Sequence, residues 1–394
     1  MSSAKNTVLF YAQALLGRKT GVGFYNSVLL DQIQKQNTNH EICLLYFENP
    51  FSRKHTRFLK SEYPDLKLRA HRFIPKKVAL KLLGTFLEPR SGLLWPGRYD
   101  SAIFPNFYMF GVRQSALTAL SIPDLAFLKH PEVLPDARRG FLGSILPSGP
   151  DYLLRVTEKQ IPKADIILTI SDSIKQEIQE EFSVPKSKII VTTLAPKQVS
   201  LASVGKNKRY EIPDKYFLFV GTLEPRKNIL TLLSAYESLN KEIRLDYTLV
   251  LAGGIGWKHQ EILQKIKTMK KSGLKVQYTG YIDQEYKNLL YKNADIYIQP
   301  SLYEGFGMPL LEAMSHNIPV ICSDIPVFRE VAEKSAIFFN RKNPNSLASA
   351  ITDLLSDKAK QRSLIASGAK RVVEHRKNLN GVKTLLDKLY LKHE

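Results

Sequence analysis

The sequence predicts an α/β protein with two Rossmann-like domains, whose parallel sheets face each other across a cleft. Apolar strand-like runs alternate with helical patterns along the chain, and this alternation favours parallel sheets covered by helices. The polar segment 196–213 has no sustained period and separates two such alternations, so we interpret it as a linker. The length of 394 residues also favours two domains over one.

The elements follow from apolar runs that are short enough for buried strands. In the first half, strands are predicted at 7–13, 41–47, 100–106, 116–121, 164–171 and 188–195, and helices at 24–35 and 171–182. After the linker, strands are predicted at 216–221, 247–254, 276–282, 295–301, 319–324 and 335–340, with helices between them. Because open parallel sheets bind ligands at the carboxyl ends of their strands, we expect the functional residues there.

The composition restricts the partners and the compartment. A formal charge of +20 predicts an anionic partner, which is nucleic acid, a phosphorylated ligand or an acidic membrane surface. Cys43 and Cys322 lie in apolar runs and are expected to be reduced, buried thiols. The N-terminus does not read as a signal peptide, and no window approaches the roughly 20 apolar residues of a membrane span. We expect a cytoplasmic protein, peripheral to a membrane at most.

The stretch VGTLEPRKNIL, residues 220–230, joins a strand that ends at Gly221 to a helix. Arg226 and Lys227 precede the helix, where free backbone N–H groups and the helix dipole also favour an anion. Asn228 is the predicted N-cap. The basic pair is either a site for a di-anion such as a diphosphate or a solvated pair in a loop.

The stretch PSLYEGFGMPLLEAM, residues 300–314, sets Glu304 in a loop and Glu312 on the helix that follows. Carboxylates can accept hydrogen bonds from sugar or ribose hydroxyls, and Gly305 and Gly307 let backbone N–H groups approach a phosphate. An ordinary glycine turn with two surface glutamates is the alternative.

Two glycines, Gly21 and Gly23, stand between the first strand and its helix. They do not complete a G-x-G-x-x-G pattern, so a ligand loop and a plain tight turn are both compatible with them.

The tract 53–98 has twelve basic and three acidic residues, a net charge of +9, with apolar residues interleaved. It fits a surface on anionic lipid headgroups, where each basic group contributes about 1 kcal/mol. A solvated basic face is the alternative. Nucleic acid is disfavoured because no recognised binding motif accompanies the charge.

Several motifs are absent from the sequence. It has no D-x-D pair, no Cys/His spacing for zinc, no P-loop and no G-x-S-x-G. We therefore expect no metal and no cofactor.

The stretch GTLEPRKNI and, about eighty positions later, PSLYEGFGMPLLEAMSHNIPVICSDIPVFREV resemble glycosyltransferase family 4, which consists of retaining enzymes of the GT-B fold. KTGVGFY and ADIILTISDSIKQEI are similar to that family as well, so the resemblance covers nearly the whole chain. It implies an N-terminal acceptor-binding domain at 1–200 and a nucleotide-sugar-binding domain at 210–377. The last helix, within 378–394, is expected to pack back on the first domain.

The resemblance also implies site residues. The implied catalytic residues are Glu304, Arg226 and Lys227, with the basic pair holding the donor diphosphate. The implied donor-binding residues are Gly21, Gly23, Gly221, Gly305, Phe306, Gly307, Met308 and Glu312, the last of which would bind the ribose.

One segment, SIPDLAFLKHPEVLP, departs from the family pattern. Pro123 takes the place where many relatives have a histidine beside the donor sugar, and proline has no side-chain donor or acceptor. Asp124 and His130 follow the pattern and mark a candidate acceptor or donor-sugar region.

The predicted function is therefore a retaining glycosyltransferase. It would move a sugar from a nucleotide-diphosphate sugar, with GDP-mannose as the leading donor, to a glycan or lipid-linked acceptor. Bacterial mannosyl- and rhamnosyltransferases of surface polysaccharides are similar. The alternatives are a catalytically silent subunit that binds nucleotide, and a nucleotide-sugar epimerase.

Overall fold

The structure is a computed structural model, and it describes residues 6–16, 21–36, 40–49, 51–82, 99–111, 116–134, 149–196, 212–378 and 380–390. The chain divides into two compact units. Unit 1 combines Met1–Pro131, Asp136–Leu194 and Asn378–Glu394, and unit 2 combines Glu132–Pro135 with Ala195–Lys377. Most of the predicted linker, positions 197–211, lies outside the described residues.

Unit 1 contains a parallel sheet in the order β3-β2-β1-β4-β5-β6-β7. The strands are β1 Asn6–Tyr11, β2 His40–Phe47, β3 Lys67–His71, β4 Ser101–Phe104, β5 Leu117–Ser121, β6 Ile166–Thr169 and β7 Ile189–Val191. The helices are α1 Gly21–Gln36, α2 Lys54–Glu62, α3 Lys76–Leu82, α4 Ala126–Lys129, α5 Pro150–Gln160 and α6 Asp172–Phe182.

Unit 2 contains a second parallel sheet in the order β10-β9-β8-β11-β12-β13. The strands are β8 Tyr216–Val220, β9 Thr248–Ala252, β10 Val276–Gly280, β11 Ile296–Gln299, β12 Val320–Ser323 and β13 Ala336–Phe339. The helices are α7 Ile229–Ser238, α8 Lys241–Asp246, α9 Gln260–Lys271, α10 Gln284–Asn293, α11 Met308–Ser315, α12 Pro326–Ala332, α13 Pro344–Ser356 and α14 Lys358–Lys377.

The last described helix, α15 Asn380–Tyr390, belongs to unit 1. A Cβ added to its Gly381 would lie 1.9 Å from the carbonyl oxygen of Val191, so the helix backbone approaches β7 directly.

Both sheets are the doubly wound type that the alternating pattern predicts. The strand order reverses between β1 and β4 in unit 1 and between β8 and β11 in unit 2. Such reversal points are where open α/β sheets bind ligands. Central strands are fully buried, as β8 is along its whole length, which explains why they read as continuous apolar runs.

One strand, β3, was not predicted from the sequence, and the structure places it at the edge of the sheet beside β2. An edge strand has one covered side only, and the five residues of β3 include Lys67 and Arg69. Its pattern is therefore less apolar than that of a central strand.

Several helix ends have identifiable determinants. Ser171 caps α6, since its Oγ accepts from the backbone N of Ile174 at 3.2 Å. Pro309 lies in the first turn of α11, and Asn317 follows that helix in a left-handed conformation, with φ of 59°. Asn228 occupies the N-cap position of α7, as predicted, but it is left-handed and its side chain makes no capping hydrogen bond. Its Oδ1 accepts from Thr231 Oγ1 at 2.8 Å, and its Nδ2 donates to Arg341 O at 2.9 Å.

No helix in the described part of the chain combines the length and apolar character needed to cross a membrane. Cys43 and Cys322 are both buried and free, as predicted.

Candidate active site

The loops that contain the basic pair and Glu304 follow β8 and β11, which are neighbours at the reversal point of unit 2. Because parallel strands have their carboxyl ends at one edge of the sheet, the loops begin side by side. Leu302 N donates to Arg226 O at 2.9 Å, which ties one loop to the other.

The loop after β8 depends on a close backbone approach. Gly253 has φ of +146°, and a Cβ on it would lie 2.0 Å from the carbonyl oxygen of Gly221. Only glycine fits there. A single 3-10 turn, Pro225–Lys227, then carries the basic pair up to α7.

The loop after β11 is equally constrained. Gly307 has φ of +112°, and a Cβ on it would lie 2.8 Å from Phe328 Cε1. The buried Phe306 meets His375 edge-on, with ring centroids 5.6 Å apart. The glycine turn and the anchored ring together fix the backbone between Glu304 and α11.

Glu304 accepts hydrogen bonds from four side chains. Arg226 Nη1 donates to Oε2 at 2.7 Å, and Lys227 Nζ donates to Oε1 at 2.5 Å. Ser301 Oγ and Gln299 Nε2 also donate to Oε1, at 2.7 and 3.3 Å. These contacts join residues up to 78 positions apart in the sequence.

Glu224 holds Arg226 from the other side. Its Oε1 accepts from Arg226 Nε at 3.1 Å and from Nη2 at 2.9 Å. The side chains of Arg226, Lys227 and Glu304 are only 16%, 12% and 11% exposed. We call Glu224, Arg226, Lys227 and Glu304 the charge cluster.

The charge cluster differs from the free basic pair that the sequence suggested. Two carboxylates balance the charges of Arg226 and Lys227. Glu224 lies two positions before Arg226 in the same loop, and Glu304 lies on the neighbouring loop. An ammonium group has three N–H donors, and Glu304 Oε1 accepts one from Lys227 in the described structure. Lys227 therefore has two further N–H donors beyond this hydrogen bond.

The pKa values of the two carboxylates of the cluster are shifted in opposite directions. Burial raises the pKa of Glu304, but Arg226 and Lys227 outweigh burial and lower that pKa to about 2. For Glu224 burial prevails over the same cations, so its pKa is raised. Glu304 is ionised at neutral pH, which suits it to stabilising positive charge and not to donating a proton.

Glu312 lies on α11 and has a different set of partners. Lys287 Nζ donates to its Oε1 at 2.6 Å, and Tyr291 OH donates to its Oε2 at 3.1 Å. The ring of Tyr291 stacks on His316 with centroids 5.2 Å apart. Helix α10, which carries Lys287 and Tyr291, therefore orients this carboxylate.

The remaining predicted site residues fall into two groups. Gly221, Gly305, Phe306, Gly307 and Met308 lie in or beside the two loops of unit 2, whereas Gly21, Gly23, Asp124 and His130 lie in unit 1. The ligand roles of all of them stay predictions.

The unit 1 candidates have local contacts. Gly21 begins α1, and a Cβ on it would meet no atom of the described residues within 4 Å, so none of them requires a glycine here. Asp124 Oδ1 accepts from Ala126 N at 3.1 Å at the start of α4, and His130 follows that helix.

Sequence reasoning missed five polar partners of the motif residues: Glu224, Gln299, Ser301, Lys287 and Tyr291. The positions of Gln299 and Ser301 gave a signal, because polar residues at the end of an otherwise apolar strand are candidates for a site. Lys287 and Tyr291 gave none, since only the packing of α10 beside α11 brings them to Glu312.

Residues 206–371 match the family model of the glycosyl transferases group 1. The chain is a glycosyltransferase. The matched stretch includes the whole charge cluster and Glu312, and so contains both motifs on which the prediction depended.

The similarity to known proteins covers most of the chain. O-antigen chain mannosyltransferase B of Escherichia coli is 28% identical over 373 residues, which cover 92% of this chain and 93% of that protein. The sucrose-phosphate synthase of Thermosynechococcus elongatus has a similar structure, with a TM-score of 0.72 and 18% identity over 99% of each chain. HepE of Anabaena, in complex with UDP, has a TM-score of 0.66 and 14% identity over 98% of this chain and 99% of that one. The structural likenesses confirm the predicted GT-B fold.

Proposed function

We propose that this glycosyltransferase is a retaining family 4 enzyme that transfers mannose from GDP-mannose to a glycan or lipid-linked acceptor in surface-polysaccharide synthesis. The observation that carries the proposal is the contact of Arg226 and Lys227 with Glu304 at the reversal point of unit 2. The similarity to an O-antigen chain mannosyltransferase supports the choice of sugar.

The proposed reaction breaks the bond between the anomeric carbon and the diphosphate oxygen. The acceptor oxygen bonds to the same face of the sugar, and its proton passes to the departing phosphate. Negative charge grows on the diphosphate, where Lys227 and Arg226 supply a preorganised positive field. Donor binding would exchange part of the pairing of Arg226 for phosphate contacts, while ionised Glu304 would stabilise positive charge on the sugar.

This route needs no protein base, so Pro123 is compatible with activity. The proline is also the best support for the rival proposal of a silent, nucleotide-binding subunit. The epimerase alternative would change the donor without any acceptor. That the reaction requires no metal stays a prediction.

The test is a thermal-shift screen of the purified chain against GDP-mannose, UDP-glucose and a deoxyribonucleotide-activated rhamnose, followed by product analysis. A ligand that binds only the native state raises the melting temperature. We expect a rise with GDP-mannose and transfer to an acceptor with retention. Binding without turnover would favour the silent subunit, a changed nucleotide sugar would favour the epimerase, and no shift with any donor would contradict the proposal.

We further propose that unit 1 binds an anionic membrane at the inner face of the cell membrane. The loops after the neighbouring strands β2 and β3 expose Phe51 and Phe73, which are 98% and 93% accessible. Helix α2 and its N-cap add exposed cations at Arg53, Lys54, Arg57 and Lys60. Exposed aromatic rings beside exposed cations are typical of a surface that docks on anionic lipid. Residues 83–98 of the predicted tract lie outside the described residues.

This proposal is tested by sedimentation with vesicles of neutral lipid, with or without anionic phosphatidylglycerol. We expect salt-sensitive binding to the anionic vesicles only, and a loss of about tenfold or more when Phe51 and Phe73 are both changed to Ser. Leu245→Ser is the control, because Leu245 is a 57% exposed apolar residue of unit 2. Equal binding by the double variant would show that Phe51 and Phe73 do not contribute to docking. No binding of the wild type to either kind of vesicle would refute membrane binding as a whole.

A further inference from the structure

We propose that Arg341 is a positioning residue for the transfer reaction, although it lies outside both predicted motifs. Its guanidinium and its backbone carbonyl each bind a different loop of the candidate active site, and together they hold the charge cluster in one geometry. The inference rests on the proposed function, since it assumes that Glu304 and Arg226 act on the charges of the donor. It adds a third loop on which their geometry depends.

The three loops follow β8, β11 and β13 at the carboxyl edge of the unit 2 sheet. In this sheet β13 is an edge strand, and β12 separates it from β11. The loop after β13 nevertheless reaches the other two through Arg341, which contacts Leu302 and Asn228. These partners are 39 and 113 positions away in the sequence.

The loop after β11 is held through the backbone of Leu302. Leu302 N donates to Arg226 O at 2.9 Å, and Leu302 O accepts from Arg341 Nη1 at 2.6 Å. The carbonyl of the next residue, Tyr303, accepts from Arg226 Nη1 at 3.0 Å. Glu304 follows directly, so the position of its carboxylate depends on Arg341 as well as on Arg226.

The loop after β8 is held through the side chain of Asn228, the residue that follows the basic pair. Its Nδ2 donates to Arg341 O at 2.9 Å. The contacts therefore close a circuit that runs from Arg226 O to Leu302, from Leu302 O to the Arg341 side chain, and from Arg341 O back to Asn228. We call this circuit the loop brace.

The turn that carries Arg341 is itself fixed. Asn343 N donates to Asn340 O at 2.9 Å and closes the turn. Asn340 N donates to Ser346 Oγ at 3.2 Å, which ties the turn to α13. The partly buried guanidinium is planar and presents its N–H donors in a rigid fork. Arg341 can therefore hold Leu302 O at a defined distance from α13.

The position of the charges explains why the loop brace affects turnover. Donors and charges stabilise a transition state only when they are aimed in advance at the place where charge develops. Arg226 and Glu304 would act on opposite charges of the breaking bond, so their spacing decides how well both are met. A displacement of about 1 Å can cost about 100-fold in rate. Interactions made mainly in the transition state change kcat more than KM.

Steady-state kinetics of GDP release from GDP-mannose test the inference. We expect Arg341→Met to lower kcat by about tenfold or more, with KM within about threefold of the wild type. Arg341→Lys keeps a charged donor and should restore part of the turnover. The matched control is Lys342→Met, which removes the same charge from the adjacent, exposed position and should leave kcat unchanged.

A second variant shows whether the loop brace acts as one unit. Asn228→Gly removes the amide, and glycine keeps the left-handed conformation without strain. Because both changes open the same circuit, Asn228→Gly combined with Arg341→Met should be about as slow as the slower single variant, whereas independent effects multiply. Thr231→Val is the control, since it removes the contact with Asn228 Oδ1 and leaves the Nδ2 contact in place. If Arg341→Met does not fold, Asn228→Gly alone should show the same loss of kcat.

Near-normal kcat in Arg341→Met and Asn228→Gly, a change confined to KM, or single effects that multiply would overturn the inference. Failure of the wild type to consume GDP-mannose would instead count against the proposed function. Urea denaturation then tests the loop brace by itself. The midpoint shifts of Arg341→Met and Glu304→Gln should combine to less than their sum, because both changes act on one loop. Additive shifts would overturn the inference whatever the donor is.

Discussion

The carboxyl edges of the two parallel sheets are built from different side chains. In unit 1, β1, β2 and β4 end on Tyr11, Phe47 and Phe104, and Phe110 joins them with ring centroids 5.1 to 6.5 Å away. In unit 2, β8 and β9 end on Val220 and Ala252, and β11 ends on Gln299. The loops that follow β8 and β11 contribute the charge cluster.

The difference shows how one architecture supports two kinds of edge. Aromatic rings stabilise an edge by burying apolar area and by edge-on contacts. Buried charges can remain only where partners compensate their lost hydration. Each ion of the charge cluster has such partners, so unit 2 can hold charges where a ligand would arrive.

The largest effect is expected from Arg226→Ala, which removes a cation from the charged edge. Turnover should fall about 100- to 1000-fold, as it does when one preorganised donor to a developing negative charge is lost. Steady-state kinetics measure this. The control is Arg329→Ala, since Arg329 is a 56% exposed residue whose ion-pair partner is Asp324 and not a member of the charge cluster. Near-normal turnover by Arg226→Ala would refute its role.

The next effect concerns stability. Glu304→Gln leaves Arg226 and Lys227 short of a counter-charge and should lower the free energy of unfolding by about 3 kcal/mol at pH 7. The folded pKa of Glu304 is about 2, below its ordinary 4.5. The stability that its charge contributes is therefore present above the ordinary pKa and lost as the pH falls through the folded pKa.

Urea denaturation between pH 7 and pH 2 measures this prediction, and the gap between wild type and Glu304→Gln should narrow as the pH falls from about 5 towards 2. Asp324→Asn is the control, because an exposed pair contributes about 1 kcal/mol at most. A gap that is constant with pH would show that the carboxylate charge is not what stabilises the cluster.

The smallest effect tests the aromatic edge. Tyr11 OH is buried and has no hydrogen-bond partner in the described structure, whereas Tyr25 OH contacts Ser121 Oγ at 3.0 Å and Thr192 Oγ1 at 3.1 Å. Tyr11→Phe should therefore raise the free energy of unfolding by about 1 kcal/mol, and Tyr25→Phe should lower it by about as much. Chemical denaturation at pH 7 checks both. Destabilisation by both variants would mean that Tyr11 OH has a partner after all.

The sequence predicts the central strands well because burial on both faces makes them continuous apolar runs. It does not reveal β3, whose edge position permits charged residues. The carboxylate and basic motifs were visible as residue types, but their pairing was not, since the order of strands decides that β8 and β11 are neighbours. Asn228 shows the same limit: its Oδ1, the atom that would cap α7, accepts from Thr231 Oγ1, and its Nδ2 donates to Arg341 O, which is 113 positions away in the sequence.

The proposed function requires that the charged edge of unit 2 binds a nucleotide-diphosphate sugar. The test is a calorimetric titration of GDP-mannose into the wild type and into Lys227→Met. We expect one saturable site in the wild type and affinity that is weaker by about tenfold or more in the variant, because a charged donor to phosphate is lost. No binding, or equal affinity in the two proteins, would show that this edge does not hold the donor.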